Sequence, residues 1–365
     1  MGDKPRVVVA MSGGVDSSLT AALLLHEGYD VIGMTMQIWE NDERVDKPDS
    51  RGCCSLSAVD DARGVADKLG IPYYVVNFRK LFQKSVVDYF IREYGAGKTP
   101  NPCIACNRFV KFEGLLHKAQ EVGADFLATG HYARITYDKQ RQRYLLRKGI
   151  DSLKDQSYAL YHLNQHTLAH FLFPLGGYTK VQTRQIAREY GLAVADKPDS
   201  QEICFVPNDD YQAFLADKSP NVVQPGSIVD QQGTVLGQHQ GLAFYTIGQR
   251  KGLGFAAGKP FYVIALDIVK NQVIVGENQD VFASECIASD LNWILFDQLA
   301  APLRVQAKIR YGAKVGEAMI TPFTAISGQE KVKIVFDQPQ RAITPGQSVV
   351  FYLDDIVVGG GVIEK

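Results

Sequence analysis

Apolar residues along the first two hundred positions come in short runs separated by amphipathic stretches. Runs at 6–11, 30–36, 73–77 and 124–129 have strand length and are rich in Val, Ile, Leu and Tyr. The stretches 17–27, 57–69, 81–94 and 110–120 repeat their apolar residues at helical spacing. Leu19, Ala22 and Leu23 share one face of the first, and Gly28 and Gly70 stop the first two. Strand and helix in alternation predict an α/β fold: a doubly wound parallel sheet, helices on both faces, ligands at the carboxyl ends of its strands. The pattern changes near Phe214. Residues 219–260 are rich in Gly, Pro and Gln, with short strands predicted at 226–229 and 244–247. From Ala283 onward, alternating runs at 305–310, 331–336 and 349–353 predict a small antiparallel β-barrel. The predicted domains are 1–214, 215–282 and 283–365.

The 365 residues exceed the usual size of one domain, and 46% apolar content suffices for full cores. A net charge of -1 excludes a global positive field, so a nucleic-acid partner has to be held by local basic patches. The opening residues lack an apolar run long enough for a signal peptide or membrane span, and the six cysteines are too sparse for a secreted disulfide framework. The expectation is a cytoplasmic chain with no membrane partner. Cys53, Cys54 and Cys286 read as structural.

The densest chemistry follows the first strand: Ala10, Met11, Ser12, Gly13, Gly14, Val15, Asp16, Ser17 and Ser18. Two glycines let backbone N–H groups close around a phosphate oxygen. Ser12, Ser17 and Ser18 add hydroxyl donors, and the next helix points its positive end at the anion. Asp16 is unfavourable beside bare phosphates, which suggests a divalent cation between them. No Gly-Lys-Ser/Thr follows, so this is not the Walker A loop. It resembles the pyrophosphate (PP) loop of ATP pyrophosphatases.

Further motifs lie at 99–107 (Thr-Pro-Asn-Pro-Cys-Ile-Ala-Cys-Asn), 154–158 (Lys-Asp-Gln-Ser-Tyr) and 199–206 (Asp-Ser-Gln-Glu-Ile-Cys-Phe-Val). Others are 248–254 (Gly-Gln-Arg-Lys-Gly-Leu-Gly), Arg310-Tyr311 and 344–348 (Thr-Pro-Gly-Gln-Ser). With the loop, and in this order, they resemble the bacterial tRNA-specific 2-thiouridylase family nearly end to end. The resemblance implies an adenine-nucleotide-binding PP-loop domain, a central domain and a C-terminal barrel. It implies adenylation of O2 of the wobble uridine in a tRNA anticodon loop, then replacement of that oxygen by sulfur. ATP and Mg2+ are the implied cofactors, and a cysteine desulfurase or sulfur-relay protein the implied donor.

By the same resemblance, ATP binds at residues 10–17, Met36 and Gly130, Cys106 is the nucleophile and Cys204 carries the persulfide. Asn101, Pro102 and Cys103 surround the target base; His131, Lys154, Asp155, Gln156, Arg310, Tyr311 and Gln347 contact tRNA. Many family members carry Asp where this chain has Cys103. The change leaves three thiols, Cys103, Cys106 and Cys204, able to hold an iron–sulfur cluster. Persulfide transfer needs only Cys106 and Cys204, and ends with the two joined as a disulfide. Blander readings stand beside these: Met36 as core, His131 as packing and residues 154–156 as a polar loop; the basic run Lys139, Arg141, Arg143, Arg147, Lys148 reads equally as a solvated hairpin face or as a phosphate-binding patch. The competing functions are another adenylating ligase or amidotransferase, and a non-catalytic sulfur or iron–sulfur carrier.

Overall fold

Val7, Val8 and Val9 are fully buried in β1 (Arg6–Ala10), the strand around which the first part of the chain is organised. The computed structural model describes residues 4–38, 56–199, 203–206, 208, 210–255 and 258–364. They form two compact units: one of Met1–Val87, Cys103–Asp209 and Asp355–Val357, the other of Asp88–Pro102, Asp210–Asp354 and Val358–Lys365. Cys53 and Cys54 lie outside the described residues.

In the first unit, β1 pairs in parallel with β2 (Asp30–Gln37) on one side and β4 (Phe126–Ala128) on the other. With β3 (Tyr73–Asn77) and β7 (Phe171–Leu172) the order is β3-β2-β1-β4-β7, parallel throughout. Side chains alternate across a strand, so Val7 and Val9 face one layer and Val8 the other. The first layer holds Leu19 and Ala22 of α1 (Val15–His26) with Ala62 and Val65 of α2 (Leu56–Leu69). The helix Leu115–Glu121 buries Leu115, Leu116 and Ala119 and packs on β4. Strand order reverses between β1 and β4. That switch point is where an open α/β sheet leaves a crevice at its carboxyl edge. A hairpin of β5 (Ala133–Asp138) and β6 (Arg143–Lys148) completes the unit, as the basic run suggested.

The second unit holds a four-stranded sheet of β8 (Gly226–Val229), β9 (Val235–His239), β10 (Tyr262–Asp267) and β11 (Gln272–Gly276), in the order β10-β11-β8-β9. Ile228, Val263, Val273 and Val275 form its core. Six longer strands follow: β12 (Phe282–Trp293), β13 (Leu303–Lys308), β14 (Gly316–Thr324), β15 (Glu330–Arg341), β16 (Ser348–Leu353) and β17 (Ile356–Ile363). They run β12-β15-β14-β13-β16-β17, and β12 pairs with β17 to close the antiparallel barrel. Burial alternates along β15, with Val332, Ile334 and Phe336 inside.

Two expectations need correction. Residues 244–247 form no strand; a short turn of helix, Leu242–Phe244, stands there. Its apolar side chains plug the central core, where Tyr245 is buried, while the Thr246 N–H donates to Gln249 Oε1 (3.1 Å). The helix expected at 110–120 begins earlier, at Pro102, and widens into a π-helical stretch over Cys106–Gly114.

Candidate active site

The loop after β1 sits at the switch point because the strand delivers it there. Met11 N–H extends the ladder by donating to Met34 O (2.8 Å), and Gly14 caps α1. Ser17 Oγ accepts from Ser12 N–H (3.1 Å) and lies 3.2 Å from Gly14 O, pinning the loop against the first turn of the helix. Ser12, Gly14 and Asp16 keep some exposure; Met11, Gly13, Val15 and Ser17 are buried. The free N–H groups of a helix start, with its positive end, suit an anion here. Ser18, counted among the donors, is fully buried and its hydroxyl has no hydrogen-bond partner.

Two glycines are needed for close approach. Gly13 has φ +65°, and a Cβ on it would lie 2.2 Å from the carbonyl oxygen of Ala58. A Cβ on Gly130, beyond β4, would lie 2.8 Å from Asp16 C and 2.9 Å from Ser17 N. Gly130 therefore comes against the loop, as its place in the sequence suggested. Met36 is buried near the end of β2, paired with Val76.

Asp16 has a partner that sequence reading missed. Lys180 Nζ lies 2.7 Å from both of its carboxylate oxygens, and the Tyr132 hydroxyl lies 2.7 Å from Oδ1 and 3.0 Å from Thr183 Oγ1. The carboxylate assigned to a divalent cation is thus neutralised by an ammonium group. Burial, with the negative charge of Asp16 beside it, raises the Tyr132 phenol and keeps it protonated. The same ammonium lies 2.8 Å from Asp199 Oδ1, and Lys154 Nζ lies 2.7 Å from Asp199 Oδ2. Burial alone would raise Asp199; the hydrogen bonds from Lys154 and Lys180 outweigh it and bring the carboxyl down to about 2. Lys197 adds a further cation, 3.1 Å from Gly13 O and 2.5 Å from Asp61.

Cys106 opens the π-helical stretch and is partly exposed; Cys103, in the preceding short helix, is exposed. π-Turns recur at functional sites because they re-aim side chains within a helix. The next residue, Asn107, is buried. Its amide donates to Ala159 O (3.2 Å) and its oxygen accepts from Lys111 Nζ (3.0 Å), which holds this wide turn in place. Cys204 is partly exposed and is followed by buried Phe205 and Val206, with the Phe205 ring edge-on to Phe82 at 5.9 Å. Cys103, Cys106, Cys204 and Cys286 are all free of disulfides. Among the described residues no three Cys, His, Asp or Glu side chains gather closely enough to hold a metal ion. The three-thiol cluster considered from sequence is therefore not assembled. Cys286 is core: burial, with Glu285 nearby, pushes its thiol up to about 12.

Of the residues expected at tRNA, all but Tyr311 are half-buried and hydrogen-bonded within the fold. His131 Nδ1 lies 2.7 Å from Thr129 Oγ1, with the rings of Phe112 and Phe173 at 5.7 and 5.8 Å. Burial, then Lys111 and His162, keep this imidazole neutral. Asp155 accepts from the N–H groups of Gly149 and Ser157 (3.0 and 3.1 Å), and Gln156 Oε1 from Tyr132 N–H (2.9 Å). In the second unit, Arg310 donates to Arg341 O (3.3 Å) and Gln347 Nε2 to Thr99 O (2.7 Å). Tyr311 is half exposed, with Lys308 Nζ 5.4 Å from its ring centroid. Asn101 and Pro102 fall in the second unit's segment 88–102, whereas Cys103 belongs to the first.

Residues 5–208 match the family described as tRNA methyl transferase HUP domain, 212–277 its PRC-barrel domain, and 283–363 an aminomethyltransferase beta-barrel domain. The tRNA-specific 2-thiouridylase MnmA of Acetivibrio thermocellus is 57% identical over 361 residues, 99% of each chain. That of Heliobacterium modesticaldum is 58% identical over 363 residues, 99% of this chain and 93% of that one. The chain belongs to the tRNA-specific 2-thiouridylase family. The matched descriptions speak of methyl transfer, but relatives at this identity are named for thiolation. A solved 4-thiouridine synthetase–RNA complex with bound ATP is similar only remotely, at 17% identity and a TM-score of 0.34, over 59% of this chain and 50% of that one.

For this thiouridylase-family chain, the residues that motif reading missed are Tyr132, Lys180, Thr183 and Lys197; Asp199 was seen without a role. One signal was available. Thr179 and Gln182 form a capping box, the Thr-x-x-Gln pattern that marks the start of the helix bearing Lys180.

Proposed function

We propose that this chain catalyses ATP-dependent 2-thiolation of the wobble uridine of tRNA, yielding 2-thiouridine, AMP and pyrophosphate. As a family member it is a sulfurtransferase that modifies tRNA. The observation that carries the reading is the anion loop at the switch point, in a chain over half identical to thiouridylases along its whole length. A pyrimidine C2 oxygen is a very poor leaving group, and attack by O2 on the α-phosphate of ATP converts it into a phosphate ester. Pyrophosphate departs, and the loop N–H groups with Ser12 and Ser17 grip it.

ATP, with its magnesium, lies along residues 10–17, Met36 and Gly130 in this reading. Asp16 would be the residue to hold that metal, sharing its carboxylate with Lys180, and the ion would supply charge neutralisation for the phosphates. Cys204 arrives as the persulfide, loaded by a desulfurase or sulfur-relay protein. The Cys106 thiolate attacks Cys204 Sγ, and the terminal sulfur leaves as hydrosulfide, which displaces AMP at C2. The electron pair that makes sulfide comes from the two cysteines, which end as a disulfide that a cellular thiol must reduce. Cys103, with Asn101 and Pro102, lines the base pocket and binds no cluster. The half-exposed ring of Tyr311 supports stacking on an unpaired base. His131, residues 154–156, Arg310 and Gln347 hold the surfaces that tRNA meets. The domains are taken as 1–214, 215–282 and 283–365. No helix among the described residues is long and apolar enough to cross a membrane, and tRNA and ATP as substrates favour the cytoplasm.

The test is nucleoside mass spectrometry of tRNA incubated with protein, ATP and a persulfide donor. 2-Thiouridine should form only when all three are present. Its formation without ATP, or its absence with all three, would refute the reading.

A further inference from the structure

Lys180 anchors no motif, yet its ammonium group is fully committed. It has three N–H donors. They face three carboxylate oxygens: both of Asp16 at 2.7 Å and Asp199 Oδ1 at 2.8 Å. The side chain is 11% exposed, so water offers little substitute for a lost partner. Asp16 belongs to the nucleotide loop. Asp199 stands five positions before Cys204 and is itself gripped by Lys154 (2.7 Å) and Arg184 (3.0 Å).

We propose that Lys180 is a positioning residue for thiolation, tying the nucleotide loop to the segment that carries Cys204, so that ATP in the loop changes the reactivity of that thiol. The inference rests on the reading that the loop binds ATP. A carboxylate whose oxygens already accept from an ammonium group and a phenol holds that ammonium less tightly once the metal and phosphates of ATP compete for it. When Asp16 turns to them, at least one N–H donor of Lys180 is released, and a nearly buried donor has to be re-satisfied. The acceptors available are Asp199 and a phosphate oxygen. Either choice redistributes the hydrogen bonds on Asp199 and thereby the tether of the Cys204 segment. Such a link suits the chemistry, because sulfur delivered before O2 is adenylated is lost to solvent.

The experiment measures alkylation of Cys204 by iodoacetamide in the full-length protein, read by peptide mass spectrometry, with and without α,β-methylene ATP. The analogue fills the loop but cannot adenylate. In the wild type it should change the alkylation rate several-fold. In Lys180→Met that response should vanish while the analogue still binds, and Lys180→Arg should restore part of it. Asp199→Asn leaves Lys180 and Asp16 in place and should also blunt the response, which gives a second variant should Lys180→Met fail to fold. A full response in either folded, nucleotide-binding variant overturns the inference. So does a wild type that binds the analogue and thiolates tRNA but shows no response. A wild type that binds no ATP and makes no 2-thiouridine strikes the functional reading itself, and is seen before any labelling is compared.

Discussion

At the scale of single residues, a loop built to attract phosphate contains a carboxylate whose charge is balanced from 164 positions away. Asp16→Ala removes two charge-assisted hydrogen bonds to Lys180 and should cost about 2 kcal/mol of stability, measured by denaturant unfolding. It should also lower tRNA-dependent pyrophosphate release by roughly a hundredfold; release near the wild-type rate would remove Asp16 from the mechanism. Gly130→Ala forces a Cβ to within 2.8 Å of Asp16 backbone and should weaken ATP binding with little change in tRNA affinity. Cys286 sets a pH limit instead. Its folded thiol stays protonated up to about 12, whereas an unfolded one ionises near 8.5. The unfolded state binds fewer protons across that window, so this residue's contribution is complete below it and is lost as pH rises, by roughly 1.4 kcal/mol per unit. Cys286→Ala should flatten the alkaline fall in stability. Residues of the first loop were legible because their chemistry is contiguous in sequence. Lys180, Tyr132 and Asp199 were not, since each acquires meaning only from a partner brought close by folding.

At the scale of elements, buried parallel strands announce themselves. β1 and β2 are apolar and buried on both faces; β3 is half exposed but reads as an unbroken run of Tyr and Val, and the predicted limits of all three fall within a residue of those found. The helix Lys180–Glu189 escaped notice for a physical reason. Its buried positions are Lys180, Thr183 and Ala187, at helical spacing but mostly polar, so the helix is amphipathic without a run of apolar residues to flag it. Polar atoms face inward there because Asp16 and Tyr132 await them. Thr179→Ala breaks the capping box and should lower stability by about 1 kcal/mol. Because that cap fixes the turn from which Lys180 reaches Asp16, adenylation should slow as well; unchanged adenylation would mean that Lys180 is placed by its own ion pairs. The π-helical stretch at Cys106–Gly114 was equally hidden, since apolar spacing cannot tell a wide turn from an ordinary one.

For the whole molecule, a net charge of -1 leaves tRNA binding to local groups, and affinity should fall with added salt. Tyr311→Ala should weaken tRNA binding by about 1–3 kcal/mol while leaving ATP binding alone. Filter binding checks both, and full tRNA affinity in Tyr311→Ala would exclude a stacking role. Deleting the barrel would be a poorer test. The first unit includes Asp355–Val357, and Asp355 is clasped by Arg134 (2.8 Å) and Arg147 (2.7 Å) of the β5–β6 hairpin. That clasp also bears on synthesis. Arg134 precedes its partner by 221 residues, which a ribosome takes on the order of ten to forty seconds to add. Throughout that interval Arg134 and Arg147 lack their Asp355 partner, so a growing chain carries its nucleotide loop well before the first unit is complete. A ribosome-bound chain stalled short of Asp355 should be cut by protease within β5–β6, and one extended past it should resist. The hairpin's own ladder forms early and its side-chain clasp late, so protection from protease should rise in a second step once Asp355 has emerged.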